Sequence, residues 1–179
     1  MRFVPTRIEG LTIVELERRR DDRGSFARTF CEREFAEAGL PFRVVQANIS
    51  TNGAALTLRG LHFQRAPHGE PKIVSCVRGR IFDVAVDVRP DSPTYLAWEG
   101  IEVGADLDRI FCLGEGIAHG FLTLEPDSIV HYLMGAPYVA EAAAGLRWDD
   151  PAIGIAWPAE PAIISERDCG YALIERASE

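Results

Sequence analysis

The chain has 179 residues, 47% of them apolar and 26% charged, the balance of one globular domain with a substantial core and too little length for two ordinary ones. Its formal charge of −8 argues against a general nucleic-acid binder, which needs a basic face, but leaves room for a nucleotide held by a few Arg and Lys in one pocket. No stretch approaches the ~20 apolar residues of a membrane span, and residues 1–14 lack the continuous apolar core of a signal peptide. The four cysteines (Cys31, Cys76, Cys112 and Cys169) form no CxxC pair, so the expectation is a cytoplasmic protein with reduced thiols and neither a zinc site nor a disulfide scaffold.

In chain order, strands are predicted at Leu11–Leu16 and Ser25–Phe30. A helix is predicted over Cys31–Ala38, with Phe35 inward and Gly39 just past its end. Further strands are expected at Arg43–Ser50, Leu56–Gln64 and Lys72–Val77, then at Arg80–Val88, the clearest of all. There RIFDVAVDV puts Phe82, Val84, Val86 and Val88 on one face and Asp83 and Asp87 on the other. A sheet packed on one side sends both aspartates to solvent; an open barrel turns them towards a ligand cavity. Strands at Leu96–Val103, Arg109–Leu113, Gly120–Leu124 and Ile129–Met134 follow, with a second short helix in Ala140–Ala144. Gly and Pro punctuate the strands, and there is no internal repeat or linker. The prediction is a single all-β domain over residues 1–179, a double-sheet jelly roll with one or two short helices.

Only four histidines are present: His62, His68, His119 and His131. His62 lies in an apolar strand, in RGLHFQ, flanked by Arg59 and Gln64; such a residue is either a satisfied structural histidine or a catalytic one. His119 follows a Gly-rich turn, where a pocket role and a turn role both fit. A metal site needs three or four convergent ligands at fixed distance. The chain has no His-x-His pair, and only a coincidence of His62, His119 and Glu70 would supply one, so no metal is expected.

Seven segments now stand in order: DRGSF (22–26), QANIS (46–50), RGLHFQ (59–64), PKIVSCVRGRIFDVAVDVRPDSPTY (71–95), GEGIAHGF (114–121), GLRWDDPAIGIAWP (145–158) and ISERD (164–168). Together they resemble the dTDP-4-dehydrorhamnose 3,5-epimerase family, nucleotide-sugar epimerases of the cupin jelly-roll type. The resemblance implies an enzyme without a cofactor that inverts C3 and C5 of a nucleotide-linked 4-keto-6-deoxy hexose through an enolate. It implies His62 as base, Asp168 as the carboxylate that orients it, Lys72 beside the C4 oxygen and Tyr132 as acid on the other sugar face. Arg23 and Arg59 match the family's pyrophosphate ligands. Gln46, Asn48, Phe26, Asp83, His119 and Tyr138 complete the implied binding set, and a homodimer is the implied assembly. An exposed strand at Leu11–Leu16 would also suit pairing across subunits.

Three expectations stay open at this stage. Arg59 and His62 have opposite strand parity, so they share a cavity only across a bend, or through a neighbouring subunit. Arg28 stands where many members of that family carry glutamate, and HYLMG departs from the usual pattern around the tyrosine; both bear on which nucleotide and sugar are bound. A C3-only epimerase, and a binding protein without turnover, are the alternatives.

Overall fold

A computed structural model describes residues 1–175. Its thirteen strands are β1 (Arg2–Pro5), β2 (Leu11–Glu15), β3 (Arg19–Asp21), β4 (Gly24–Phe26), β5 (Gln46–Asn52), β6 (Leu58–Gln64), β7 (Lys72–Arg78), β8 (Arg80–Asp87), β9 (Trp98–Gly104), β10 (Arg109–Leu113), β11 (Ile117–Thr123), β12 (Ser128–Met134) and β13 (Ala143–Gly145). Two short helices, α1 (Glu32–Glu37) and α2 (Glu166–Cys169), complete the secondary structure with one 3-10 turn at Ala140–Ala142. A six-stranded sheet, β1-β2-β10-β7-β12-β5, faces a five-stranded one, β13-β6-β11-β8-β9, and β3-β4 form a separate hairpin. Every pairing within these sheets is antiparallel, the jelly-roll solution to burying two sheet faces.

Both sheets bury residues on both faces. Alternate residues of the six-stranded sheet point inward (Leu11, Val74, Phe111, Leu113, Val130) to meet Ile81, Ala85, Ile117 and Phe121 from the other sheet. The intervening residues (Val14, Ile73, Ile110, Cys112) point outward, where α1 drops Phe35 onto them with Phe42 beside it. Phe35 is fully buried, a gain of roughly 1.5–3 kcal/mol. Over the outer face of the five-stranded sheet, Ile153, Ile155, Trp157 and Ile174 cover Leu61, Val84, Val86 and Ala118.

This double covering corrects the expectation for RIFDVAVDV. The apolar set Phe82, Val84, Val86 faces outward under residues 153–174, and Asp83 and Asp87 turn into the molecule, both with no exposed surface. Neither is in solvent, and neither lines the cavity described below. Asp87 accepts from Arg89 Nε and Nη2 at 2.8 Å, Ser92 Oγ at 2.5 Å and Thr94 Oγ1 at 2.7 Å. Burial alone would raise its carboxyl, but these donors reverse the sign and hold it well below the usual carboxylate range.

Other boundaries shift for local reasons. The short helix expected in Ala140–Ala144 is a single 3-10 turn at Ala140–Ala142, cut short where β13 pairs with the edge of β6, Ala143 opposite Gln64. Gln64 anchors this join by accepting from Val139 N–H at 2.6 Å. The expected strand at Ser25–Phe30 is only the short arm Gly24–Phe26. Leu56 and Leu96 adopt positive φ, 57° and 64°, so their strands begin two residues later. β2 has no free edge, since β1 and β10 flank it; subunit pairing through it is thereby overturned.

Candidate active site

A cavity of about 600 Å³ opens between the two sheets, the size of a small-molecule site. The five-stranded sheet contributes Arg59, His62, His119 and Phe121. The six-stranded sheet contributes Asn48, Lys72, Tyr132 and Met134, and residues 163–168 close one side with Ser165, Arg167 and Asp168.

The site begins with a flaw in a ladder. Between β6 and β11, His62 pairs with His119 but Arg59 pairs with Phe121, so three steps on β6 match two on β11. The extra residue is a bulge, which resets side-chain parity. That is how Arg59 and His62 reach one cavity. Gly60 allows it: its φ is +133°, and a Cβ there would lie 2.5 Å from the Cα of Gly120.

The Gly60 N–H, freed by the bulge, donates to Asp168 Oδ2 at 3.2 Å, while Asp168 Oδ1 lies 2.7 Å from His62 Nε2. Asp168 arrives on α2, whose N-cap Ser165 accepts from the Asp168 N–H at 3.1 Å. A parallel bridge between Thr57 and Ile163 fixes this segment against the start of β6. Burial would raise the Asp168 carboxyl, but the bonds from His62 and Gly60 outweigh it and hold the group below its ordinary value. An ionised carboxylate only accepts, so the shared proton sits on His62 Nε2. The Nδ1 lone pair is then the basic one. The His62 side chain is 40% exposed and that of Asp168 only 5%, an accessible base on a buried anchor.

Across the cavity, Lys72 points inward with the same parity as Val74 and Cys76. Its ammonium lies 2.8 Å from Glu70 Oε1, both groups nearly buried. Tyr132 pairs with Asn48 on β5 and Val74 on β7. Burial pushes its phenol far above the ordinary value; the Asp83 carboxylate adds to this and Arg59 opposes it. Asp83 Oδ1 lies 2.6 Å from His119 Nε2, and the His119 ring stands edge-on to Tyr132 with centroids 5.8 Å apart. Arg59 Nε donates to Asn52 Oδ1 at 2.7 Å.

The structure therefore brings seven of the sequence-derived candidates to one cavity: Asn48, Arg59, His62, Lys72, His119, Tyr132 and Asp168. Five are not on its wall. Asp83 is sealed behind His119. Gln46 sits one pleat beyond Asn48 and donates to its Oδ1 at 3.1 Å. Tyr138 is exposed on a loop. Arg23 and Phe26 ride the β3-β4 hairpin, where Arg23 Nη2 donates to Asp21 at 2.6 Å and the Phe26 side chain is exposed. Arg28 bonds Glu34 at 2.5 Å beside that hairpin, away from the cavity. Ser165 and Arg167 were missed, though Ser165 was legible as a Ser-x-x-Asp helix start. Glu70 was weighed only as a metal ligand, and the structure makes it the partner of Lys72 instead. Among the described residues no group of three or more His, Cys, Asp or Glu side chains gathers as a metal-ligand set.

Fold and cavity together define a cupin-like jelly roll whose inter-sheet pocket holds paired histidine–carboxylate units. The chain belongs to the dTDP-4-dehydrorhamnose 3,5-epimerase family, whose sequence model matches residues 5–175. A dTDP-4-dehydrorhamnose 3,5-epimerase of Methanothermobacter thermautotrophicus is 47% identical over 93% of this chain and 91% of its own. A dTDP-4-dehydrorhamnose 3-epimerase of Streptomyces niveus is 39% identical over 100% of this chain and 86% of its own. The crystal structure of the Bacillus anthracis 3,5-epimerase, with TDP and PPi bound, superimposes with a TM-score of 0.93 at 35% identity, covering 97% of this chain and 99% of that one.

Proposed function

We propose that the protein epimerises C3 and C5 of a dTDP-linked 4-keto-6-deoxy hexose, with His62 as base. The observation that carries this reading is the division of labour between the sheets. The His62–Asp168 pair belongs to one wall of the cavity, and Lys72 and Tyr132 belong to the other. Inversion needs that division, because the proton must leave from one face of the sugar and return to the opposite one.

In the proposed reaction His62 Nδ1 takes the proton from a carbon next to the ketone. The C–H electron pair moves into the new C=C bond, and the carbonyl π pair moves onto the C4 oxygen. The Asp168 carboxylate stabilises the imidazolium that forms. The Lys72 ammonium, itself nearly buried, stabilises the enolate oxygen. Tyr132 then returns a proton to the carbon from the other side. Its raised phenol pKa keeps it protonated at rest, the state a donor needs. Arg59 is suited by its planar fork to the diphosphate. The substrate is a nucleotide-diphosphate sugar, the setting is the cytoplasm, and the working unit is a homodimer in which the exposed β3-β4 hairpin carries Arg23 and Phe26 to a partner's cavity.

A C3-only epimerase is the second reading, favoured by the resemblance to the Streptomyces niveus 3-epimerase. Proton NMR in heavy water with dTDP-4-keto-6-deoxyglucose separates the readings. Deuterium is expected at both C3 and C5, and His62→Ala should reduce its incorporation by about 10³-fold or more. Label at one carbon only establishes the second reading. Binding without exchange in the wild type overturns both.

A further inference from the structure

On the reading that His62 is the base, we infer that Tyr171 is a positioning residue: its ring fixes the His62 imidazole and its hydroxyl holds Arg167 at the cavity wall. Among the described residues the His62 ring has one hydrogen-bond anchor, Nε2 to Asp168. An imidazole held at one atom still pivots about that bond, so its Nδ1 direction depends on what packs beside it. Its cross-strand neighbours are His119 on β11 and Gly145 on β13. Gly145 has no side chain to offer.

The place of that missing side chain is taken by Tyr171. A Cβ on Gly145 would lie 2.2 Å from Cε2 and Cζ of the Tyr171 ring. The ring stands edge-on to His62, centroids 6.3 Å apart at 66°. Position 145 thus has to be glycine for a tyrosine from elsewhere in the chain to serve as the cross-strand neighbour of the histidine. The hydroxyl end is committed as well. Arg167 Nε donates to Tyr171 Oη at 3.0 Å, and its guanidinium lies 6.0 Å from the ring centroid. Arg167 lines the cavity, while Tyr171 does not. Tyr171 therefore acts only through other residues, and through two of them at once.

The two contacts separate experimentally. Tyr171→Phe keeps the ring and loses the hydroxyl; kcat should stay within about twofold of wild type while KM rises several-fold as Arg167 loosens. Tyr171→Ala removes the ring, and Gly145→Ala displaces it while leaving the tyrosine in the chain. Each should lower kcat and the rate of deuterium exchange by about tenfold or more, since small misplacements of a catalytic group carry penalties of that size. The melting temperature, measured alongside, confirms folding. Folded Tyr171→Ala and Gly145→Ala proteins with wild-type kcat overturn the inference, as does a Phe variant as slow as the Ala variant. Undiminished exchange in His62→Ala, assayed in the same series, overturns instead the assignment of the base.

Discussion

Two histidine–carboxylate pairs stand side by side, their histidines on adjacent strands of the five-stranded sheet, and differ in almost everything except length. His62–Asp168 spans 2.7 Å and His119–Asp83 spans 2.6 Å, and the two histidines are direct register partners on adjacent strands. The first has an accessible imidazole and a carboxylate with both oxygens bonded. In the second, both side chains are nearly or wholly buried and Asp83 Oδ2 has no hydrogen-bond partner among the described residues. A pair that must take up and release a proton needs solvent or substrate access and a carboxylate satisfied in either state. The open pair has both. The sealed pair is placed to set the field around Tyr132, which it touches through the His119 ring.

Three changes follow, two within these pairs and one at Asp87 on the strand that carries Asp83, beginning with the largest expected effect. Asp168→Asn puts an amide opposite His62 Nε2. The amide can donate, which drives the ring proton to Nδ1 and leaves the base facing substrate in the wrong tautomer. Deuterium exchange should fall about 10³-fold with little change in KM. A loss below tenfold would show that Asp168 holds His62 in place without governing its proton.

The next effect is on stability in acid. Asp168 and Asp87 have depressed carboxyl values, so the stability they add is fully present above the unfolded carboxylate range of about 4. It drains away as pH falls through their lower folded values. Asp87→Asn should cost about 1–3 kcal/mol at neutral pH and flatten the acid limb of the melting curve. An unchanged acid limb would mean that the Arg89–Ser92–Thr94 cage contributes nothing.

The smallest effect is expected from Asp83→Asn. Asn is nearly isosteric and keeps a side-chain oxygen for His119 Nε2, so one charged hydrogen bond becomes a neutral one and stability should stay within about 1 kcal/mol of wild type. Removing its field should ease proton donation by Tyr132, read as a rise in the ratio of inversion to deuterium exchange. An unchanged ratio would detach Asp83 from Tyr132.

The sequence made some of this legible and hid the rest for identifiable reasons. His62 and Asp168 are 106 positions apart, and no periodicity connects them; only the order of the seven segments implied their pairing. Alternation in RIFDVAVDV located the strand and its two faces. It did not tell which face is inner, because residues 153–174 cover the outside as apolarly as the second sheet fills the inside. β1 and α2 are too short, at four residues each, to carry a period. The parity conflict between Arg59 and His62 was readable and left two ways out, a bend or a neighbouring subunit; the bulge at Gly60 supplies the first. Arg23 and Phe26 were chosen by resemblance, and a resemblance lists residues without saying where the fold puts them.

The anchoring of Asp168 to both the Gly60 amide and the His62 ring has a consequence for biosynthesis. On the proposed mechanism, a nascent chain that has emerged only through β12 already carries His62, Lys72 and Tyr132, yet its histidine has no carboxylate. The base is assembled only when the segment around α2 has been made and has docked on the bulge of β6. Proton abstraction is therefore withheld from incomplete chains, and catalytic activity doubles as a report that the two distant ends of this domain have met.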